Sequence, residues 1–487
     1  LKSIMDSYKV IKTPNNLTVT TGISPGNLTE NMVGMNMLSL DGLVKKAICA
    51  HLGMGKVFGE AVGNNKFPAF GIPLGVINHL YRAIAGKEPG VLTKIGIDTF
   101  ADPRIEGCSL NELAKREEPI VELIKIDRKD YLFYKSFPIN VALIKATYAD
   151  VDGNISFEHE AVISEQFSMA AAAHNCGGIV IVQVEDIKPK GSLKAKDCLI
   201  HNKLVDYVVI AKPDESLGDY NLPIYRPELT GESKIEINIE PYPLNIRKVC
   251  ARRSAMEIKR GDMINLGVGM PDLIAKIASE EEFLNDICLS IECGPTGGLP
   301  IGGIAFGASI NPETIISTID NFDLYDGGFL DLAILGLAEV DKNGNVNVSK
   351  FGSRVTGPGG FINITQSTKK IVFMGTFTAV NLKEEIIEDK LEILKEGEKK
   401  KFVNQLEQIT FSAKNALENN IDVLYVTERA VFKLRRGGLE LIEIAPGIDL
   451  KKDILDLMEF KPIISQNIKR MDPRIFKEEK MNLKEEI

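Results

Sequence analysis

One glutamate in this chain stands where a reaction could take place. In DICLSIECGPTGG (286–298) an apolar run from Ile287 to Ile291 ends on Glu292, and Cys293, Gly294, Pro295 and the pair Gly297-Gly298 follow at once. Such a run bounded by turn formers reads as a short buried strand, and in open α/β sheets ligands sit just past the carboxyl ends of strands. The plainer alternative is that Glu292 merely faces water at a loop mouth. A carboxylate with the ordinary pKa near ~4.3 is ionised at neutral pH, so as a nucleophile it needs no adjacent base. Cys293 is the alternative nucleophile, but a catalytic thiol calls for a histidine, and all five (His51, His79, His159, His174, His201) lie in the first half of the chain. Cys293 therefore reads as small packing beside the loop.

Glycine-rich segments supply the other half of a possible site. MINLGVGMPDLIAKIA (263–278) reads as strand, turn and helix, with Gly267 and Gly269 at the turn and Pro271 near the first helical turn. Amides at such a helix start attract negative charge, so phosphates, carboxylates and developing oxyanions are natural guests. The third glycine of a dinucleotide fingerprint is missing, and a tight turn packed against its neighbours remains the alternative. GGLPIGGIAFGA (297–308) and RVTGPGGFIN (354–363) add backbone that a ligand could approach closely. No histidine or cysteine spacing suits a metal, and Asp326, Asp331 and Asp341 fit strand and turn positions better than a metal cluster.

The elements that must hold these residues alternate between strand and helix. IMDSYKV is helix-like, NNLTVTTGIS (15–24) a strand ending in a glycine turn, LDGLVKKAICAHL (40–52) a helical stretch, and INHLYRAIA a helix. IVELIKIDRKDYLFYK (120–135) reads as a hairpin. INVALIKATYADVDGNISFE (139–158) reads as a long strand, a DGN turn and a second strand. SEQFSMAAAAH (164–174) is a helix by propensity; GGIVIVQVEDI (177–187) and YVVIAKP (207–213) are strands.

The second half repeats the first. Setting 139–154 on 330–345, an offset of 191, places Ala142 on Ala333, Asp150 on Asp341, Gly153 on Gly344 and Asn154 on Asn345 without a gap. One residue later in offset, Ile179-Val180 meets Ile371-Val372. LTVTTGI (17–23) then matches ICLSIEC (287–293), with Gly22 where Glu292 stands, so only the second copy carries the acid. Two copies of one α/β unit follow, with mainly parallel open sheets. The domains expected are 1–226, a proline-rich and charged linker at 227–245, and 246–487 carrying Glu292. GDMINLGVGMPD (261–272) has no counterpart before Leu1, so roughly twenty residues, a first strand and glycine loop, are expected to be missing ahead of it.

Composition excludes several classes. At 487 residues more than one domain is expected, and 44% hydrophobic with 26% charged residues is ordinary for a globular protein. A net charge of −9 argues against a nucleic-acid partner. Nothing reaches the length of a membrane span, and seven cysteines without a Cys-x-x-Cys pair suit a reducing cytoplasm.

Together the Glu292-Cys293-Gly294 run, FDLYDGGFLDLAILGLAEVDKNGNVNVSKFG (322–352) and GPGGFINITQSTKKIVFMGTFTA (357–379) resemble the family I acyl-CoA transferases. The first half also fits their single-chain acetate and propionate branch, at 42–58, 72–107 and 155–161. The resemblance implies that Glu292 is the nucleophile, that Gly267, Val268, Gly269 and Met270, closed by Pro271, hold CoA, and that Gly357, Pro358, Gly359 and Gly360 lie near the thioester. It further implies coenzyme A and acyl-CoA as substrates, no tightly bound cofactor, short-chain carboxylate partners, a homo-oligomer, and an active site where the two domains meet. The rivals are a thioester hydrolase using the same glutamate, a non-catalytic α/β binder, and a nicotinamide enzyme.

Overall fold

The computed structural model describes residues 1–211 and 225–487, and by contact they form two units. The first is Leu1–Ile235 with Ile291–Leu324 and Ser353–Asn363; the second is Glu236–Ser290 with Tyr325–Gly352 and Ile364–Ile487. This division differs from the contiguous one expected around 227–245. Ile291 and Cys293 pack with Val162, Ile23 and Phe306, and Asn311 is bonded to Glu228 and Ile235, so these segments belong to the first unit.

In the first unit, helix α1 (Lys2–Ile11) leads into strand β1 (Leu17–Ile23), which runs parallel to β2 (Val44–His51), itself parallel to β3 (Ala69–Gly71). The helix expected over 40–52 is thus a central strand. Ala47 and Ile48, whose spacing from Val44 looks helical, are buried together with Cys49 and Ala50 because β2 has a neighbour on each side. Helix α2 (Leu74–Ala85) follows, and the expected hairpin is β4 (Val121–Ile126) with β5 (Lys129–Lys135), turned by Asp127 and Arg128.

A second parallel sheet has the order β8-β7-β6, with β6 at Val141–Lys145, β7 at Ile179–Val184 and β8 at Tyr207–Ile210. The long strand expected from 139 breaks at Ala146 and Thr147 before a short strand, Tyr148–Asp150. The last two residues of the strand expected at 207–213, like the rest of 212–224 in the expected first domain, lie outside the described residues. Helix α3 (Gln166–Asn175), built on an alanine run, packs against β6, β7 and α2.

In the second unit, helix α4 (Ile246–Ala255) is capped by Asn245, whose side chain accepts from the amides of Arg247 and Lys248. Strand β9 (Met263–Leu266) leads to helix α5 (Leu273–Glu280), then β10 (Cys288–Ser290), β11 (Leu332–Gly336), β12 (Lys370–Met374) and β13 (Asp422–Val426). The parallel order is β10-β9-β11-β12-β13, continued by β14 (Ala430–Arg435), β15 (Gly438–Ile444) and β16 (Ile463–Arg470). Among the described residues no helix is long and apolar enough to cross a membrane.

The repeat is visible in the geometry, and its register corrects one step of the alignment. Asp150 accepts from the amides of Asp152 and Asn154 and from the Asn154 side chain at 2.9–3.0 Å. Asp341 does the same with Asn343 and Asn345 at 2.9 Å. Val141 pairs with Ile179 as Leu332 pairs with Lys370, so the offset of 191 persists through the next strand and Val180, not Ile179, stands where Ile371 stands. The expectation of two similar open-sheet α/β units is met.

Candidate active site

Glu292 lies two residues beyond the end of β10, and the chain that carries it into the first unit is pinned from several directions. The Gly294 amide donates to the Ile291 carbonyl at 2.9 Å, and Asn321 Nδ2 donates to the carbonyls of both Ile291 and Glu292 at 3.0 Å. Thr318 Oγ1 donates to the Cys293 carbonyl at 3.0 Å. Gly294 sits at φ +119°, a conformation that a side chain resists, and this turns the backbone so that Cys293 is buried while Glu292 keeps some exposed surface.

The Glu292 side chain has no hydrogen-bond donor and no cation against its carboxyl group among the described residues. Burial alone pushes its pKa up to about 7, well above the ordinary value assumed from sequence. The carboxyl is therefore unspent: none of the described residues consumes its lone pairs.

Gly360 lies against this carboxyl, and Gly359 precedes it beside His51. A Cβ on Gly360 would collide with Glu292 Oε2 and lie 2.9 Å from its Cδ and 3.1 Å from Phe322 Cζ. The loop is fixed in place: Gly359 donates to the Ala50 carbonyl at 3.0 Å and accepts from the Leu74 amide at 2.8 Å, and the Gly75 amide donates to Asn363 Oδ1 at 3.1 Å.

Gly267–Met270 belong to the second unit, at the carboxyl end of β9. The Gly267 amide is spent on the Ile334 carbonyl at 2.9 Å, and the Gly269 amide on Asp272 Oδ2 at 3.0 Å. The amides still open to an anion among the described residues are therefore those of Val268 and Met270, and Val268 itself is exposed. Burial raises the pKa of the Asp272 carboxyl, which occupies the helix start.

Two side chains to which sequence reasoning gave no role, His51 and Glu165, lie beside glycines of the first unit. His51 ends β2 level with Ile23 of β1, at the carboxyl ends of parallel strands. Its Cδ2 lies 3.6 Å from where a Cβ on Gly359 would be, its ring nitrogens have no partner among the described residues, and burial lowers its pKa to about 4, so the ring is neutral. Gly22, the counterpart of Glu292, leaves a space filled by the Glu165 carboxyl, 2.9 Å from a would-be Cβ, with Leu74 Cδ1 and Asn78 Oδ1 beside it. Burial raises the Glu165 pKa, and the Asn78 amide is buried with neither atom bonded. No signal in the sequence singled out His51, which falls inside the stretch expected to be helical. Among the described residues no group of acidic, histidine and cysteine side chains could hold a metal.

The coenzyme A transferase family model matches residues 8–211. The chain is 48% identical to caffeate CoA-transferase from Acetobacterium woodii over 482 residues, covering 98% of this chain and 91% of that one. It is 43% identical to acetate CoA-transferase YdiF from Escherichia coli K12 over 477 residues, covering 98% and 89%. A crystal structure of acyl-CoA transferase YdiF from E. coli O157:H7, a thioester complex with CoA, superposes with a TM-score of 0.92 at 42% identity, covering 99% of this chain and 90% of that one. The chain is therefore a member of the coenzyme A transferase family, in its single-chain acyl-CoA transferase branch, and an enzyme that moves CoA between acyl acids.

Proposed function

We propose that this enzyme exchanges CoA between short-chain acids of the acetate, propionate, butyrate and acetoacetate class by a ping-pong route through a glutamyl-CoA thioester on Glu292. The observation that carries the reading is the unspent carboxyl of Glu292, partly open at a strand end beside the bare backbone of Gly360. A relative solved as a thioester complex with CoA supports it.

In the first half-reaction the Glu292 carboxylate attacks the thioester carbonyl, giving a mixed anhydride and CoA thiolate. The thiolate then attacks the glutamyl carbonyl of that anhydride, forming the glutamyl-CoA thioester and releasing the first acid as carboxylate. The incoming acid attacks this thioester, the thiolate leaves, and its return to the new acyl carbonyl regenerates Glu292. Each tetrahedral step develops an oxyanion, where one positioned donor is worth roughly 3 kcal/mol. The Val268 and Met270 amides suit the CoA-binding role the family resemblance gives their loop, and the Gly359-Gly360 backbone suits the thioester end. No tightly bound cofactor or metal takes part in this scheme. The domain division 1–226, 227–245 and 246–487 is retained as a boundary of descent, supported by the repeat. Homo-oligomeric assembly and a cytoplasmic setting belong to the same reading; the buried thiols of Cys49, Cys108 and Cys250 suit a reducing compartment.

Two tests address the chemistry. Enzyme incubated with acyl-CoA and quenched is expected to carry CoA in thioester linkage on the peptide containing Glu292, and acceptor acid, with acetate and caffeate both tried, is expected to discharge it. Labelling on Cys293 would reassign the nucleophile, and CoA release without any acceptor acid would make the enzyme a hydrolase. Because only ionised Glu292 attacks, kcat/KM for acyl-CoA should fall about tenfold per pH unit below about 7 and level off above it.

His51 is assigned as a neutral donor to the acyl oxygen at the far side of Gly359. His51→Ala is expected to lower kcat roughly 10–100-fold, with His51→Gln recovering most of it because an amide N–H can replace the imidazole N–H. The limb near pH 7 should persist in both variants, since it belongs to Glu292. Equal loss in the alanine and glutamine variants would make the ring a packing element only.

A further inference from the structure

Glu292 has to be located by its main chain, because among the described residues its carboxyl has no partner to locate it. A nucleophile bonded through its own side chain is oriented by that bond. Here any shift of residues 291–293 passes straight to the carboxyl. Strand β10 ends at Ser290, so the carbonyls that follow have left the sheet and need other donors. One helix supplies them, α6 (Thr318–Asp326).

Thr318, Asn321, Phe322 and Tyr325 fall at i, i+3, i+4 and i+7, the spacing of one helix face, and all are buried. Thr318 Oγ1 donates to the Cys293 carbonyl at 3.0 Å. The single Nδ2 of Asn321 donates to the carbonyls of both Ile291 and Glu292 at 3.0 Å. Tyr325 OH is hydrogen-bonded to Ser290 Oγ at 2.7 Å. Phe322 Cζ lies 3.1 Å from where a Cβ on Gly360 would be, the glycine that the Glu292 carboxyl lies against. Each residue from 290 to 293 is thus held by a side chain of this one face.

The helix is itself fixed at its start and on its outer side. Ser317 Oγ accepts from the Asp320 amide at 3.1 Å and donates to Asp320 Oδ2 at 2.6 Å, and the Thr318 amide donates to the Ile163 carbonyl at 2.8 Å. Asp323, on the outer side, lies 3.0 Å from His79 Nε2 and 3.3 Å from Arg82 Nη1 of α2. No charge on α6 acts on the Glu292 carboxyl, whose raised pKa comes from burial. We infer that Asn321 and Thr318 are positioning residues of the transferase, acting through the backbone of 291–293 to hold the Glu292 carboxyl against Gly360. The inference rests on Glu292 as the nucleophile and adds to that reading the groups that place it.

The test measures CoA exchange against pH in the whole enzyme, with the thermal midpoint followed in parallel. Asn321→Ala is expected to lower kcat by about 10²-fold, the consequence of moving a reacting atom by roughly 1 Å. The acid limb of kcat/KM should move down by at least about 0.5 pH unit, because a carboxyl released from its place meets water. Thr318→Val keeps the shape but not the donor and should cost about tenfold, with the limb moving the same way. Thr318→Ser keeps the hydroxyl and should recover most of that loss. Asp323→Asn, on the outer side of α6, should leave the limb near pH 7. Should Asn321→Ala fail to fold, the two Thr318 variants decide. Parental kcat and limb with only a lowered thermal midpoint would make α6 a stability element and overturn the proposal. Equal losses in the valine and serine variants, or a limb shift of the same size in Asp323→Asn, would overturn it too. Mapping the adduct in the parent separates the two readings: CoA on Glu292 with parental kinetics in the variants sinks the positioning role alone, whereas CoA on another residue sinks both.

Discussion

Glu292→Gln is expected to lower CoA exchange by about 10⁴-fold or more, to abolish the thioester adduct, and to make the protein more stable at alkaline pH. The last effect separates a nucleophile held at a cost from a carboxylate that merely holds the fold together. Burial raises the Glu292 pKa from 4.5 to about 7, so between these values the folded protein keeps a proton that the unfolded chain releases. That contribution to stability is complete below about pH 4.5 and is lost as pH rises through about 7. Fully lost, it amounts to about 3 kcal/mol. Glutamine fills the same space without ionising, so Glu292→Gln should raise the thermal midpoint over the parent at pH 8. By pH 5 the advantage should shrink to about 1 kcal/mol or less. A carboxylate serving structure would give the reverse, a variant less stable at pH 8 than its parent. The raised pKa also suits the proposed chemistry. A carboxylate poorly solvated by water is a stronger nucleophile than the free acids it exchanges with, and at pH 7 about half of it is ionised.

The role proposed for Glu292 could be read from the sequence because its signals are local: a short apolar run, an acid, then glycines and a proline. The alternation of helix and strand and the repeat were legible for the same reason. The strand β2 was not, because VKKAICAH places Val44, Ala47 and Ile48 at helical spacing, and what makes it a strand is a neighbour on each side, β1 and β3. The offset through β7 was ambiguous because Ile-Val occurs twice in succession at 179–182, and only the pairing of Val141 with Ile179 chooses between the two alignments. His51 gave no signal, since it fell in a stretch expected to be helical and its setting depends on a glycine loop some three hundred residues later in the chain. The ordinary pKa assumed for Glu292 failed likewise: its rise comes from burial, and the backbone of Gly360 that lies against the carboxyl is outside the stretch 286–298.

Gly360→Ala is the second large effect expected, and the least conspicuous in kind. The added methyl would occupy the space of Glu292 Oε2 and crowd its Cδ at 2.9 Å. One of the two must move. The backbone is the poorer candidate, because Gly359 is tied to Ala50 and Leu74, Phe361 donates to the Pro358 carbonyl at 3.1 Å, and Asn363 holds the Gly75 amide. The glutamate is the end of a flexible side chain with no partner to lose, so it rotates away at little conformational cost. The thermal midpoint should therefore stay within a few degrees of the parent while kcat falls by about 10² or more, the usual consequence of displacing a reacting atom by roughly 1 Å. A carboxyl swung toward water should also titrate lower, moving the acid limb of the rate profile below pH 7. Combined with Glu292→Gln the change should cost nothing further, since both act on one group. Parental activity in Gly360→Ala, with the limb still near pH 7, would mean that the carboxyl reacts from a position other than the one it occupies beside this loop.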